Sequence, residues 1–278
     1  VLELNNFGYA GGGNSNVQSY TVSGANLTAN ITITAPTEYE ISLTAGSAYA
    51  ASLILTQSGG IVNTTTIFAR LKAAQPAGSY DNKLISNSST GAYTEFIICN
   101  GRVSNAVQVW RNNVFVISYS TLKAAFDAVN AGTHKGVLQL RIAASTTESA
   151  SAVLNASGGS SNYTSITIYP TATSLSIENS GNFNDLIDLN GADNVTIDGR
   201  VNATGGVLDL TINNKYNIAL STVRFINDAT SNNIKFCNLR GGSNQAASGI
   251  IRTQQILSGL IIQFILLVLR RWIITTIP

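Results

Sequence analysis

Between Ile166 and Leu239 the chain repeats one short phrase: three to five residues of alternating polarity, then Asn, Gly, Asp or Ser. The clearest copy is Leu186-Ile187-Asp188-Leu189-Asn190-Gly191-Ala192-Asp193-Asn194-Val195-Thr196-Ile197-Asp198-Gly199. Further copies are Ile166-Thr167-Ile168, Leu175-Ser176-Ile177, Leu208-Asp209-Leu210-Thr211-Ile212, Val223-Arg224-Phe225 and Ile234-Lys235-Phe236. The apolar centres Ile168, Leu189 and Leu210 stand 21 residues apart, and Ile177 and Ile197 stand 20 apart. A period near 20, built from short strands and tight turns, predicts stacked coils in which each copy buries its apolar face only against its neighbours. The expected architecture is a parallel β-helix.

Composition narrows the setting. Charged residues make up 11% of the 278 residues, against about 25% in average globular proteins. Ser, Thr, Asn and Gly carry the polarity instead, as on many secreted and surface proteins. A net charge of +2 with no basic, aromatic-interleaved stripe excludes a nucleic-acid partner from the expectation. The length suggests two domains. Cys99 and Cys237 each sit in a strand-like run and read as small buried hydrophobes rather than ligands or a bridge. With no Met, a start at Val1 and no visible signal peptide, the chain reads as a fragment or processed segment of something larger.

Residues 1–104 read as short strands: Val17–Val22, Asn30–Thr34, Tyr39–Leu43, Ser52–Thr56, Thr65–Leu71, Ser79–Ser86 and Tyr93–Val103. Tyr39, Ile41 and Leu43 share one face, as do Ile67, Ala69 and Leu71. Turns fall at Gly11-Gly12-Gly13, Ala35-Pro36, Gly59-Gly60 and Pro76-Ala77-Gly78. Seven short strands in about 100 residues predict an antiparallel sandwich, and Gly78-Ser79-Tyr80 offers a corner tyrosine. The stretch Val17-Gln18-Ser19-Tyr20-Thr21-Val22-Ser23-Gly24-Ala25-Asn26-Leu27, with Ile31–Pro36, Tyr39–Leu43, Ala69–Lys72, Gly78–Tyr80 and Gly101–Val103, resembles immunoglobulin-like modules of large surface and secreted proteins of Bacteroidetes-type bacteria. That resemblance implies an immunoglobulin-like β-sandwich acting as a spacer or adhesion module, with no catalytic residues to carry over.

Asn105–Tyr119 is a connection with some strand character. Over 120–131 the spacing Leu122, Ala125, Phe126, Val129 predicts a helix, capped by Ser118 or Ser120 and ended by Gly132. A lone amphipathic helix before a solenoid covers the open end of the first coil. Helix followed by Asn- and Gly-rich coils resembles pectate-lyase-like right-handed β-helix domains over residues 105–249. This is a likeness of fold, which does not fix function.

Under a 21-residue coil, Asp188 and Asp209 stack on the outer face about 4.8 Å apart. They then repel unless a cation or a base lies between them, and Arg200, Lys215 and Arg224 are the candidates. The β-helix resemblance implies what such a column would do. Polysaccharide lyases of that fold hold Ca²⁺ with acidic residues and use an Arg or Lys as base, so Asp188 and Asp209 become candidate Ca²⁺ ligands and catalytic groups. A three-strand register aligning Asn194–Ile197 with Asn233–Phe236 instead puts Asp188 near Asn227. The Gly-His-Gly and paired Asp-Asp motifs of the hydrolase members are absent, and Asp beside Asn and Gly is ordinary turn chemistry, the preferred reading. His134, the single histidine, reads as a solvated turn residue. Asn190, Asn194, Asn213, Asn227 and Asn233 recur at strand ends and predict stacked amide ladders and left-handed turns. Tyr163, Tyr169 and Tyr216 are candidates for stacking on sugar rings.

The leading expectation is a non-enzymatic protein of the exterior or outer surface of a bacterium: an immunoglobulin-like spacer carrying a β-helix stalk that binds polysaccharide or cell-surface glycans. The alternative is a polysaccharide lyase using Asp188 and Asp209. The pattern breaks after Gly249, and residues 250–278 contain no Asn, Asp, Ala or Tyr. Ile256–Leu269 is a 14-residue apolar run, short of the roughly 20 residues that cross a bilayer. Out-of-frame translation ranks first for this tail, a membrane anchor second and a buried helix third. Membrane contact is expected only on the second.

Overall fold

Alternating polarity makes strands of most of this chain, and the computed structural model, which describes residues 2–11, 14–181, 183, 185–216, 221–241 and 249–253, is all-β apart from one α-helix and a single 3-10 turn among those residues. It divides into two units, 1–106 and 107–278.

In the first unit the strands are β1 (Leu2–Ala10), β2 (Gln18–Gly24), β3 (Ile31–Thr34), β4 (Tyr39–Ser42), β5 (Ser52–Leu55), β6 (Val62–Leu71), β7 (Gly78–Ser79), β8 (Lys83–Ser88) and β9 (Glu95–Ser104). One sheet runs β1-β9-β8-β3-β5, with β7 also on β9, and the other runs β2-β6-β4. Their inward residues share one core, including Phe7, Ile33, Tyr39, Ile41, Ile67, Leu71, Ile85 and Cys99. Pairing is antiparallel except for β1 on β9. The pattern reading found no β1, and a bulge between Leu4 and Phe7 explains the miss. Asn6 takes φ 65°, which turns Leu4 and Phe7 to the same core although they are three residues apart. The predicted Ser79–Ser86 strand is two elements, β7 and β8. Tyr80 Oη donates to Pro76 O at 2.7 Å, four residues upstream.

The second unit opens with a hairpin, β10 (Val107–Arg111) and β11 (Val114–Tyr119), and then α1 (Leu122–Asn130). Next come β12 (Lys135–Ile142), β13 (Thr146–Glu148), β14 (Ala152–Asn155), β15 (Asn162–Pro170), β16 (Leu175–Asn179), β17 (Asp185–Asn190), β18 (Val195–Asp198), β19 (Leu210–Asn214), β20 (Ser221–Ile226), β21 (Asn233–Lys235), β22 (Cys237–Gly241) and β23 (Gly249–Thr253). From β12 onward the chain visits three parallel sheets in rotation: β12-β15-β18-β21, β13-β16-β19-β22 and β14-β17-β20-β23. Equivalent residues stack, as Leu154, Leu189 and Phe225 do, and each fully buried side chain of this kind contributes about 1.5–3 kcal/mol.

This register corrects the period. Leu138 pairs with Ile166 28 residues on, Ile166 with Val195 29 on, and Ile197 with Ile234 37 on. Ile168, Leu189 and Leu210 lie in β15, β17 and β19, one in each sheet. The 21-residue spacing therefore spans two strands of a three-strand circuit. The three-strand register weighed from the sequence is also displaced by two residues, because Ile197 pairs with Ile234 and not with Phe236.

The helix forms where its apolar spacing places it, and Leu122, Ala125, Phe126 and Val129 are fully buried in the core of the first circuit. Its N-cap is Thr121, not Ser118 or Ser120: Thr121 Oγ1 accepts from the Ala124 N–H at 3.1 Å. Two further first-turn donors, Leu122 N and Lys123 N, give their hydrogens to Glu148 Oε1 and Oε2 at 2.8 and 2.9 Å. Glu148, on β13, thus fastens the helix start to the first circuit with a charge that suits the helix dipole.

Of the apolar tail, Ile250–Thr253 belongs to β23 and pairs in register with β20. Residues 254–278, and with them the readings of the tail as out of frame, an anchor or a buried helix, lie outside the described residues. Among the described residues no helix is long and apolar enough to cross a membrane.

Candidate functional site

Parallel pairing sets Asp188 on β17 opposite Arg224 on β20, and Arg224 opposite Arg252 on β23. The Arg224 guanidinium grips Asp188 through both its Nε, 3.1 Å from Oδ1, and its Nη2, which donates to Oδ2. The same Nε lies 3.0 Å from Asp185 Oδ2, and Arg252 Nη2 reaches that oxygen at 3.4 Å. Ser221 Oγ donates to the other oxygen of Asp185. Both carboxylates are buried, Asp185 at 1% and Asp188 at 3% exposure. Removing them from water costs several kcal/mol per ion, and the two guanidinium groups recover that cost because every carboxylate oxygen meets a donor. Hydrogen bonding to Asp188 raises the Arg224 pKa above its ordinary value, against the opposing effect of burial, with the charges of Asp188 and Asp185 adding to the rise.

The other candidates lie elsewhere. Arg200 forms its own two-pronged pair with Asp198, Nε to Oδ1 at 2.8 Å and Nη2 to Oδ2 at 2.7 Å, and its guanidinium stacks 4.1 Å over the Phe236 ring. Lys235 Nζ approaches Asp198 at 3.4 Å. Burial alone would raise the Asp198 pKa. Hydrogen bonds from the Arg200 side chain and backbone, with the charges of Arg200 and Lys235, outweigh it and hold the carboxyl below the usual aspartate range. Lys215 pairs with Glu178. Asp209 is buried just before β19, where its backbone bonds Gly199 and Leu175. Asp188 and Asp209 therefore do not stack. Asp188 is flanked in register by Val153 and Arg224, so the expected two-aspartate Ca²⁺ site and acid–acid–base column are not formed as expected. Among the described residues no three of His, Cys, Asp and Glu gather as a metal-holding group.

The amide ladders are present with partly different members. Asn190 Nδ2 donates to Asn155 Oδ1 at 2.9 Å and Asn227 Nδ2 to Asn190 Oδ1 at 2.5 Å, one amide per circuit. A second, buried step joins Asn179 to Asn214 at 2.7 Å. Asn194 and Asn227 take the expected left-handed conformation. Asn213, by contrast, lies in register between Glu178 and Arg240. Tyr163 and Tyr169 are buried, which corrects their reading as open stacking platforms, whereas Tyr216 is half-buried and donates its hydroxyl to Ser180 O at 2.9 Å. His134 is not solvated either: it is buried, with Nε2 2.7 Å from Tyr119 Oη. Its signal in the sequence was an apolar strand, Val114–Tyr119, ending in the tyrosine that covers it.

No family model matches the chain, and no curated protein or solved structure matches it.

Proposed function

We propose that the chain is a non-catalytic module of the exterior or outer surface of a bacterium: an immunoglobulin-like β-sandwich serving as spacer, followed by a right-handed parallel β-helix that binds glycan. The two sheets around one core and the Tyr80 bond four residues back support the first part. The rotation through three parallel sheets supports the second, and parallel crossovers favour the right hand. The observation that carries the non-catalytic reading is the mutual pairing of Asp185 and Asp188 with Arg224 and Arg252. A lyase base has to give up its proton and face substrate, whereas Arg224 is held protonated by the carboxylates it touches.

Glycan binding rests on the low-charge outer surface and on the face formed by β10, β12 and β15, where the Arg141 guanidinium lies 3.8 Å over the Trp110 ring. The test is incubation of the full chain with acidic polysaccharides, with and without Ca²⁺, following ultraviolet absorbance of unsaturated uronate, beside a glycan-array measurement. Array binding without product supports the proposal. Unsaturated product formed by the wild-type chain would overturn it.

A further inference from the structure

The mouth of the β10–β11 hairpin and the turn before β12 enclose a half-open cavity of about 330 Å³, at the small end of the range of ligand sites. Its wall is unusual for this chain. Arg111, from the end of β10, and Lys135, from the start of β12, line it with no acidic residue among its lining. Among the described residues neither takes part in an ion pair, whereas Arg70, Arg200, Arg224, Lys235 and Arg252 are each matched to a carboxylate. Val116 and Ile117 supply an exposed apolar floor, and the Tyr119–His134 pair supplies a neutral hydrogen-bonding edge. Burial, and then the charge of Arg111, hold the His134 pKa below its ordinary value, so Arg111 acts on the imidazole with no carboxylate to balance it.

We propose that this cavity binds a carboxylated sugar, its carboxylate held by Arg111 and Lys135 and its ring laid on Val116 and Ile117. Two cations facing an apolar floor ask for an anion attached to a group with an apolar face. A guanidinium fork matches a planar carboxylate in two-point fashion, with the ammonium as a point charge beside it. The C–H face of a pyranose ring suits the floor, and its hydroxyls suit the Tyr119–His134 edge. The choice of a sugar rests on the glycan-binding reading above; capture of an organic anion rests on the cavity alone.

The single histidine makes the test unambiguous. Imidazole resonances of the ¹⁵N-labelled full chain are followed while sodium glucuronate is added at constant ionic strength, with glucose and sodium sulfate as controls. The expected result is a saturable shift with glucuronate, none with glucose, and a titration midpoint of His134 that rises when glucuronate is bound. Arg111→Ala and Lys135→Ala, both at exposed positions that leave the core intact, are each expected to weaken binding about tenfold, the worth of one charge-assisted contact. No response to millimolar glucuronate, an equal response to sulfate, or binding unchanged in both variants would overturn the assignment. Array binding of neutral glycans that survives both substitutions would overturn it too, while leaving the glycan-binding reading standing. Uronate product would strike the non-catalytic reading alone.

Discussion

Two charged regions of the second unit stand in contrast. On β17, β20 and β23 two carboxylates and two guanidinium groups are linked by ion pairs of 3.4 Å or less, with the carboxylates almost wholly buried. At the hairpin mouth Arg111 and Lys135 stand exposed around a cavity without a carboxylate in its lining. The first region spends its charges on each other and holds neighbouring circuits in register. The second leaves its charge for something outside the chain. Whether a charged side chain is matched within the fold therefore says more about its role than its residue type does, and the sequence candidates Asp188 and Arg224 fall on the structural side.

The sharpest way to break this contrast is Asp188→Ala. It leaves Arg224 half-buried with one of its carboxylates gone, a loss of about 3–5 kcal/mol where a buried pair is broken, read as a lower denaturant midpoint with unchanged slope. Replacing both members by apolar residues, Asp188→Leu with Arg224→Met, is expected to recover much of that loss, because the desolvation cost disappears with the pair. If Asp188→Ala leaves stability unchanged, the column is not structural and the contrast fails.

The amide ladder offers a smaller test of the same idea. Asn190 stands between Asn155 and Asn227, donating to one and accepting from the other. Asn190→Ala breaks both steps at a partly exposed site and is expected to cost about 1 kcal/mol. Asn190→Asp, which keeps the acceptor but removes the donor to Asn155, should fall between wild type and Ala when unfolding is measured at neutral pH.

How far these sites could be read from the sequence depends on what alternation encodes. Period two tells which residues face inward, and it placed Ile168, Leu189 and Leu210 in the core. It cannot tell which of three sheets a strand joins, because all three bury the same kinds of residue. Turn length hides the circuit as well. Between β18 and β19 lie the residues from Gly199 to Asp209, whereas Phe236 alone separates β21 from β22. Strands of fixed pattern joined by turns of such different length leave no constant period to find, so Asp188 was stacked on Asp209 when its partner is Arg224. The helix was legible because one apolar face decides it. Its cap was not, since Ser118, Ser120 and Thr121 all suit that role and Glu148 arrives from a later strand. His134 was misread because what buries it is the hairpin, a contact that spans 15 residues.

Acid separates the hairpin mouth from a third charged site, the Asp198–Arg200 pair, by pH window. The Asp198 carboxyl is held below its ordinary value near 3.8, so its contribution is present above that value and is lost as pH falls through its folded pKa. His134 is held below 6.5 in the folded chain, so beneath that pH the unfolded chain takes a proton that the folded chain does not. Stability should therefore decline as pH drops below about 6.5 and level off once the folded imidazole is also protonated. His134→Gln should remove this upper limb of the stability–pH curve and keep the lower one. If the upper limb persists in that variant, the hairpin mouth is not its source.

The smallest expected effect is the one that sharpens the comparison most. Lys135 is exposed at the start of β12 and, among the described residues, forms no ion pair, so Lys135→Ala should change stability by no more than about 0.5 kcal/mol, the usual range for a surface position free of such features. Taking one of two like charges from a shared cavity also relieves some repulsion, and the change is therefore expected to be neutral or slightly stabilising. Its salt dependence gives the sign: added salt screens the Arg111–Lys135 repulsion in wild type, so wild type should gain on the variant as ionic strength rises. Denaturant unfolding of both proteins at low and high salt reads this directly. A loss of 2 kcal/mol or more on the scale of a buried-group removal would mean that Lys135 is already matched within the fold, and the hairpin mouth would then join the aspartate–arginine column as structure.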